Sequence, residues 1–339
     1  MYFNFIDPTN QNPTVIKLII HRLLQAIPLL IAISLVTFFL LFHSPGDFLA
    51  SLAFDPKISK EFLEAERARL GLDQPWYIVW FHWITGVITA GDFGHSFSYR
   101  MPVASLIGAR LYNTFLLALC SSVIAWFIGV PFGMIAAMKQ DKWPDRIASA
   151  IAFLGLSIPA VLLALFAVYF AAITGWFPTG GMTDPHHYAM TGVWQKMLDI
   201  IHHLIMPSIV LGVGGLAIYT RQMRSNLLET LRSDYMRTAM AKGLSYGSAV
   251  RGHALRNAIN PMITLFGFAF SELLSGAFLV ENVMDWPGLG RTTIEAYTSK
   301  DMFVVATSVL LAAAMLIIGN LIADILLGIN DPRIRQNGA

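Results

Sequence analysis

Charge is scarce in this chain. Asp, Glu, Lys and Arg make up 13% of the 339 residues, against 55% that are apolar, and the mean hydropathy is +0.59. Soluble domains carry about 25% charged residues. A water-soluble chain this apolar would expose hydrophobic patches too large for a monomer in water. That scarcity leaves lipid as the solvent for the outer surface. Cysteine is nearly absent as well. Cys120 stands alone in an apolar run, so an intrachain disulfide, a Cys-x-x-Cys metal site and a redox pair are all excluded, and it reads as a small buried apolar residue. No lysine follows a glycine anywhere, so the phosphate-cradling GxxxxGK[ST] loop is missing and the chain cannot hold ATP in that way. Internal repeats, low-complexity runs and flexible linkers are missing too.

What is present is a set of long apolar runs. A bilayer core requires about 20 consecutive apolar residues per helix. Six segments meet that demand: 18–42, 111–137, 147–173, 199–220, 259–281 and 303–328. The fourth carries Pro207 and the cluster Gly212, Gly214 and Gly215, and the fifth carries Glu272. Such defects are tolerated where a helix is buried or lines a cavity. The first run is too long for a signal-peptide core and reads as an uncleaved anchor. The expected fold is all-α, a polytopic membrane protein of six helices.

The net charge of +2 is informative only through its distribution. Lys139, Lys142 and Arg146 follow the second run. Arg221, Arg224, Arg232, Arg237, Lys242, Arg251 and Arg256 follow the fourth. Lys17 and Arg22 open the first, and Arg333 and Arg335 follow the last. With six spans all four stretches fall on one side, and the positive-inside bias makes it the cytoplasmic one, with both termini. The expected plan is a cytoplasmic tail 1–17, the first helix 18–42, an external segment 43–110, a five-helix core 111–328 and a second tail 329–339.

The external segment is too long to be a simple loop. Ser59 to Leu70 reads as a short charged helix, with Ser59 as its N-cap and Gly71 as its stop. Trp76, Tyr77, Trp80, Phe81 and Trp83 cluster at mostly helical spacing. They suit the membrane–water interface, or a packed cap over the bundle, and the two readings are compatible. His82 among them is most simply interfacial.

The most informative stretch is the basic connection 221–258 and its end at Pro261. Leu227, Leu228, Leu231, Tyr235 and Ala239 follow helical spacing, and Gly243 suits a left-handed helix stop. A second helix is expected to begin near Ser245 and run toward Pro261. A helix–Gly–helix element of this kind can enter a groove on another protein as a rigid lever. The plain alternative is an amphipathic pair lying on the anionic leaflet.

Tyr235-Met236-Arg237-Thr238-Ala239-Met240-Ala241-Lys242-Gly243-Leu244, followed by His253-Ala254-Leu255-Arg256-Asn257-Ala258 and Pro261, resembles the "EAA" loop of ABC importer permeases. The closer resemblance is to the dipeptide/oligopeptide/nickel branch, in which Arg237 and Thr238 replace the general Glu and Ala. The match extends over nearly the whole chain. His21 to Pro28, Ser44-Pro45-Gly46-Asp47, Leu70 to Pro75, Gly91-Asp92-Phe93-Gly94-His95-Ser96, Gly175-Trp176-Phe177-Pro178 and Trp286-Pro287-Gly288-Leu289-Gly290-Arg291 all fit that branch. The long external segment points to the B-type permease. Phe48 follows Asp47 where the family often has proline.

The resemblance implies a type I ABC importer permease fold in the bacterial inner membrane. It implies a non-catalytic subunit forming half of a pathway for di- or oligopeptides. Its partners would be a second homologous permease, two cytoplasmic ATP-binding subunits, an external substrate-binding protein and membrane lipid, with no nucleic acid. The chain itself would hold no cofactor, ATP and Mg being bound by the ATPases. The coupling residues would be Tyr235, Arg237, Thr238, Ala239, Lys242, Gly243, Leu244 and Arg256.

Charged groups inside spans are functional candidates because burying them is costly. Glu272 adjoins Ser271 and shares a helix face with Ser275 and Gly276. It reads either as a cavity carboxylate for a cationic amino end, or as a hydrogen-bond partner for the neighbouring permease or another helix. Asn320 and Asp324 are expected to pair across helices, and Pro159 and Pro207 to kink spans three and four. His186-His187 and His202-His203 read as polar boundary residues, because adjacent histidines point to different sides of a helix and no carboxylate-rich set supports zinc. A secondary transporter would call for inverted repeats and paired broken helices. An intramembrane protease would need a nucleophile–base or GxGD-like set. Neither signature is in the chain. Within the permease reading, a nickel or other small-solute importer is the alternative.

Overall fold

The computed structural model describes residues 12–46, 59–69, 73–184 and 192–330. Helices dominate them and no strand forms; the one β-type contact is an isolated bridge between His95 and Pro102. In chain order the helices are α1 (Asn12–His43), α2 (Lys60–Arg69), α3 (Trp76–Ala90), α4 (Val103–Met138), α5 (Trp143–Ser157), α6 (Ala160–Thr174), α7 (Val193–Leu231), α8 (Asp234–Ala241), α9 (Tyr246–Ala249), α10 (Leu255–Val283), α11 (Leu289–Thr298) and α12 (Met302–Asn330). A π-turn, Val250–Ala254, joins α9 to α10.

Among the described residues α1, α4, α7 and α12 are long and apolar enough to cross a bilayer. Leu24, Leu40, Phe127, Phe153 and Phe166 turn outward from the bundle, as lipid-facing side chains do. The expected third span is not one helix. Ile158 precedes Pro159 and takes an extended conformation (φ −95°, ψ 121°), the preference a proline imposes on its predecessor. α5 and α6 therefore meet at 100°, and at 15 residues, about 22 Å each, neither spans a core of about 30 Å by itself. The pair is a fifth crossing only as one bent unit. The expected segment 259–281 lies inside α10.

The spine of the bundle is the pair α4 and α7, where the glycines that weakened the fourth run find their use. Chains of small residues let the two backbones approach closely. A Cβ placed on Gly133 would lie 2.6 Å from the Thr220 carbonyl oxygen, so no side chain fits there. Thr220 Oγ1 also donates to the Gly129 carbonyl at 3.2 Å. Pro207 sits inside α7 without ending it.

α1 packs on α3 and α12. Phe38, Val79, Trp83, Met302, Ala306 and Leu310 form the core of that contact. Arg22 near the start of α1 meets Asp324 near the end of α12 at 2.7 Å, which is the cross-helix pairing expected of Asp324. In α3 the aromatic cluster divides between packed and outward-facing side chains. Trp83 is buried and donates to the Phe93 carbonyl, Trp80 donates to Ser34 Oγ, and Tyr77 and Phe81 face outward. The short charged helix is capped as expected, the Phe62 N–H donating to Ser59 Oγ at 3.1 Å. Leu70, Gly71, Asp47 and Phe48 lie outside the described residues.

Candidate functional site

α7 is 39 residues long, about 58 Å, and so outruns a bilayer core of about 30 Å. Its last turns project from the basic end of the bundle and lead into α8. Gly243 then takes φ +88°, a conformation only glycine adopts without strain. Its N–H donates to the Met240 carbonyl and the Leu244 N–H reaches back to the Ala239 carbonyl. These two bonds close the last turn of α8 and reverse the chain, as expected of the glycine stop. Ser245 Oγ accepts from the Ser248 N–H and starts the next helix. That helix does not end at Pro261. It passes through the π-turn into α10, which carries Pro261 inside it.

The projection is rigid because one side of it is core. Met236 and Ala239 are buried with Met223 and Leu227 of α7, Ala249, and Val250 and Ala254 of the π-turn. Ala239 is thus an inward-facing packing residue of the loop. Asn226 Nδ2 donates to the Ala258 carbonyl at 3.3 Å, tying α7 to α10. The other side of the loop is uncovered. Tyr235, Met240, Leu244 and Tyr246 are exposed apolar or aromatic side chains, interleaved with exposed Arg237, Thr238 and Lys242, and Arg256 is exposed on α10. Arg237 makes only a loose 3.5 Å contact with Asp234, and both are highly exposed. Thr238 Oγ1 donates to the Asp234 carbonyl.

Beside this loop lies an ion pair whose carboxylate is buried and whose guanidinium is partly exposed. Arg224 of α7 grips Asp145 of α5 with two bonds, Nε to Oδ1 at 2.6 Å and Nη2 to Oδ2 at 2.8 Å. The Asp141 N–H adds a third bond to the carboxylate. In the sequence Arg224 is one of seven cations following the fourth apolar run. Its partner is 79 residues away, and an acid two residues after Lys142-Trp143 gave no sign of the contact.

At the opposite end the separately matched turns converge into one cap. Glu281, fully buried, accepts from Thr114 Oγ1 at 2.6 Å and from the N–H groups of Gly290 and Arg291. It thereby caps the N-terminus of α11 through two backbone N–H groups. Asn113 Nδ2 and Arg110 reach the Pro287 carbonyl, and Trp286 Nε1 donates to the Asn113 carbonyl. Asp301 accepts from Ser96 Oγ and the Ser98 N–H, joining the Gly91–Ser96 turn to α12. Tyr99 Oη donates to Glu295 at 2.5 Å, and burial together with that carboxylate pushes the Tyr99 hydroxyl up to about 12. Sequence reasoning missed Glu281, because its partner Thr114 lies 167 residues away.

Of the paired histidines, His202 and His203 each bond a backbone carbonyl. His202 Nε2 meets the Trp176 carbonyl, while His203 Nδ1 meets the Asp199 carbonyl and lies 3.2 Å from its carboxylate. No group of three or more His, Cys, Asp or Glu converges as a metal site among the described residues. His186 and His187 lie outside them. Ser271, Glu272 and Ser275 fall on α10, and their side chains also lie outside the described set.

Long lipid-facing helices with a rigid, half-buried helix–Gly–helix projection at the basic end define a membrane subunit of the importer-permease class. The comparisons narrow this. Residues 129–336 match the family described as binding-protein-dependent transport system inner membrane component, and residues 15–119 match its N-terminal region. The chain is 38% identical over 318 residues to the oligopeptide transport system permease protein AppB of Bacillus subtilis, covering 93% of this chain and 98% of that one. It is 38% identical to the glutathione transport system permease protein GsiC of Escherichia coli K12, covering 94% and 98%. Among solved structures the MetNI methionine ABC transporter matches with a TM-score of 0.54 at 18% identity, covering 67% of this chain and 96% of that chain, a likeness of fold. The chain belongs to the family of binding-protein-dependent transport system inner membrane components. It is a non-catalytic permease subunit of an ABC importer, and ATP hydrolysis falls to separate subunits.

Proposed function

We propose that this chain pairs with a second homologous permease to form the pathway of a peptide importer, and that the exposed face of 234–246 is the lever gripped by a cytoplasmic ATPase. The observation that carries the proposal is the two-sided loop. Met236 and Ala239 lock α8 into the core, while Tyr235, Met240, Leu244, Arg237 and Lys242 present an apolar and cationic surface outward. A displacement at that surface is therefore delivered to α7 and α10 without slack. Ala239 and Gly243 shape the lever, and the exposed residues meet the partner.

The topology follows from the same surfaces. The Arg22–Asp324 pair holds the start of α1 and the end of α12 together, which favours an even number of crossings. Six result if the α5–α6 pair and α10 each count as one. The basic end then faces the cytoplasm with both termini, and the Glu281–Asp301 cap faces outward, toward a substrate-binding protein. Peptide is the favoured cargo because the relatives at 38% identity are named for oligopeptide and glutathione transport. Ser271, Glu272 and Ser275 on α10 are the candidates for the path.

The test is ATP-driven uptake into proteoliposomes holding the assembled importer, with labelled peptides and with nickel as rival cargoes. Saturable peptide uptake that nickel does not compete is expected. Nickel uptake without peptide uptake would overturn the cargo. In the same assay Glu272→Gln should alter the preference for a free amino end by about tenfold if the carboxylate meets substrate. Unchanged rates and selectivity would remove Glu272 from the path.

A further inference from the structure

A cavity of about 290 Å³ opens at the basic end between the turn after α4 and the start of the lever. Lys139 and Lys142 come from the turn, Arg232 from the end of α7, and Tyr246 from the start of α9. Ala137, Met138, Leu228 and Leu231 supply apolar walls, and Gln140 completes the rim, with Arg232 Nη2 donating to its Oε1 at 3.2 Å. The lining holds three cations and no carboxylate. The nearby acid Asp145 is already engaged by Arg224. Three cations around one cavity repel one another, and the exposed Asp141, which stands between Lys139 and Lys142 in the chain, is not part of the lining, so the cavity favours an anion.

The surroundings indicate the source of that anion. Lys139 directly follows the last residue of α4, just past the apolar run 111–137, so the cavity opens where the apolar surface of that helix gives way to polar residues. Ile135 and Met138 on the last turn of α4 face outward, and Trp143 beside Lys142 is 71% exposed, the position of an interfacial anchor. An apolar track thus leads up to a cationic basin. A free phosphate would use only the basin, whereas an anionic phospholipid would use both.

We propose that this cavity binds the phosphate headgroup of an anionic phospholipid in the leaflet at the basic end. Its acyl chains lie along Ile135 and Met138, and its phosphate bridges Lys139 and Lys142 to Arg232. Because Arg232 and Tyr246 flank α8, the bound lipid braces the root of the lever against the α4–α5 turn. The site depends on membrane embedding and on this cavity, and stands whether or not the cargo is a peptide.

The experiment is native mass spectrometry of the full-length chain in detergent, titrated with phosphatidylglycerol, phosphatidylcholine or inorganic phosphate. Wild type should retain phosphatidylglycerol selectively. K139Q/K142Q/R232Q should weaken retention on the order of 100-fold, each cation near an anionic headgroup contributing about fivefold. K139Q/K142Q, which keeps the Arg232–Gln140 bond, should lose about 25-fold on the same basis and match wild type in thermal melting in phosphatidylcholine. Equal retention of phosphatidylcholine, or undiminished retention by the variants, would overturn the proposal. Inorganic phosphate displacing the lipid at equal concentration would make this a free-anion site and overturn it too. Loss of lipid whenever ATPase subunits are bound would assign the basin to an acidic protein segment instead.

Discussion

At the scale of single residues the most consequential contact is the one between Asp145 and Arg224. A bidentate, charge-assisted pair is among the strongest polar contacts, and removing one partner strands the other. Asp145→Asn should lower stability by about 1.5–3 kcal/mol near neutral pH, a range kept modest because Arg224 is partly exposed. Thermal melting of wild type and Asp145→Asn in detergent near neutral pH checks this, and equal melting would show that the pair contributes nothing.

Between elements, the close approach of α4 to α7 decides whether the lever has a fixed base. Gly133 faces the Thr220 carbonyl and the Met223 Cβ, and the carbonyl belongs to a helix that cannot yield locally. Gly133→Ala should cost about 1–3 kcal/mol by overpacking. Gly108→Ala on the same helix meets nothing within 4 Å and should be neutral or stabilising by up to about 1 kcal/mol. Thermal melting of both variants in detergent checks the contrast; equal effects would mean that the spacing does not depend on Gly133. By hydropathy alone Gly212 and Gly215 weaken the fourth run, yet a Cβ on either would lie 3.1 Å from α4, at the Ser121 carbonyl oxygen and the Ala125 Cβ, whereas Gly214 meets nothing within 4 Å. Helix packing in lipid favours small residues, so the same feature marks the interface.

For the molecule as a whole, what could be read from the sequence was what depends on short range. The apolar runs, the cap at Ser59 and the glycine stop at Gly243 all follow from neighbours a few residues apart. The Pro159 break was anticipated as a kink and emerged as a 100° turn, because the angle depends on what α5 and α6 pack against. Arg224 with Asp145, Thr114 with Glu281 and Ser96 with Asp301 were invisible, since each pair is separated by 79 residues or more. The candidate lever was legible as a motif. Its division into an inward face, Met236 and Ala239, and an outward face, Tyr235, Met240 and Leu244, required the fold.

The central claim is that this lever carries the motion of an ATPase into the bundle. The direct measurement is the ratio of peptide taken up to ATP hydrolysed, in proteoliposomes holding the assembled importer with Gly243→Pro. Proline cannot adopt the positive φ of Gly243 and cannot donate the bond that Gly243 gives to Met240. The account predicts a chain that still inserts and assembles while uptake per ATP falls by about tenfold or more, the loss expected when a rigid connection is misplaced. A normal ratio in that variant would contradict it.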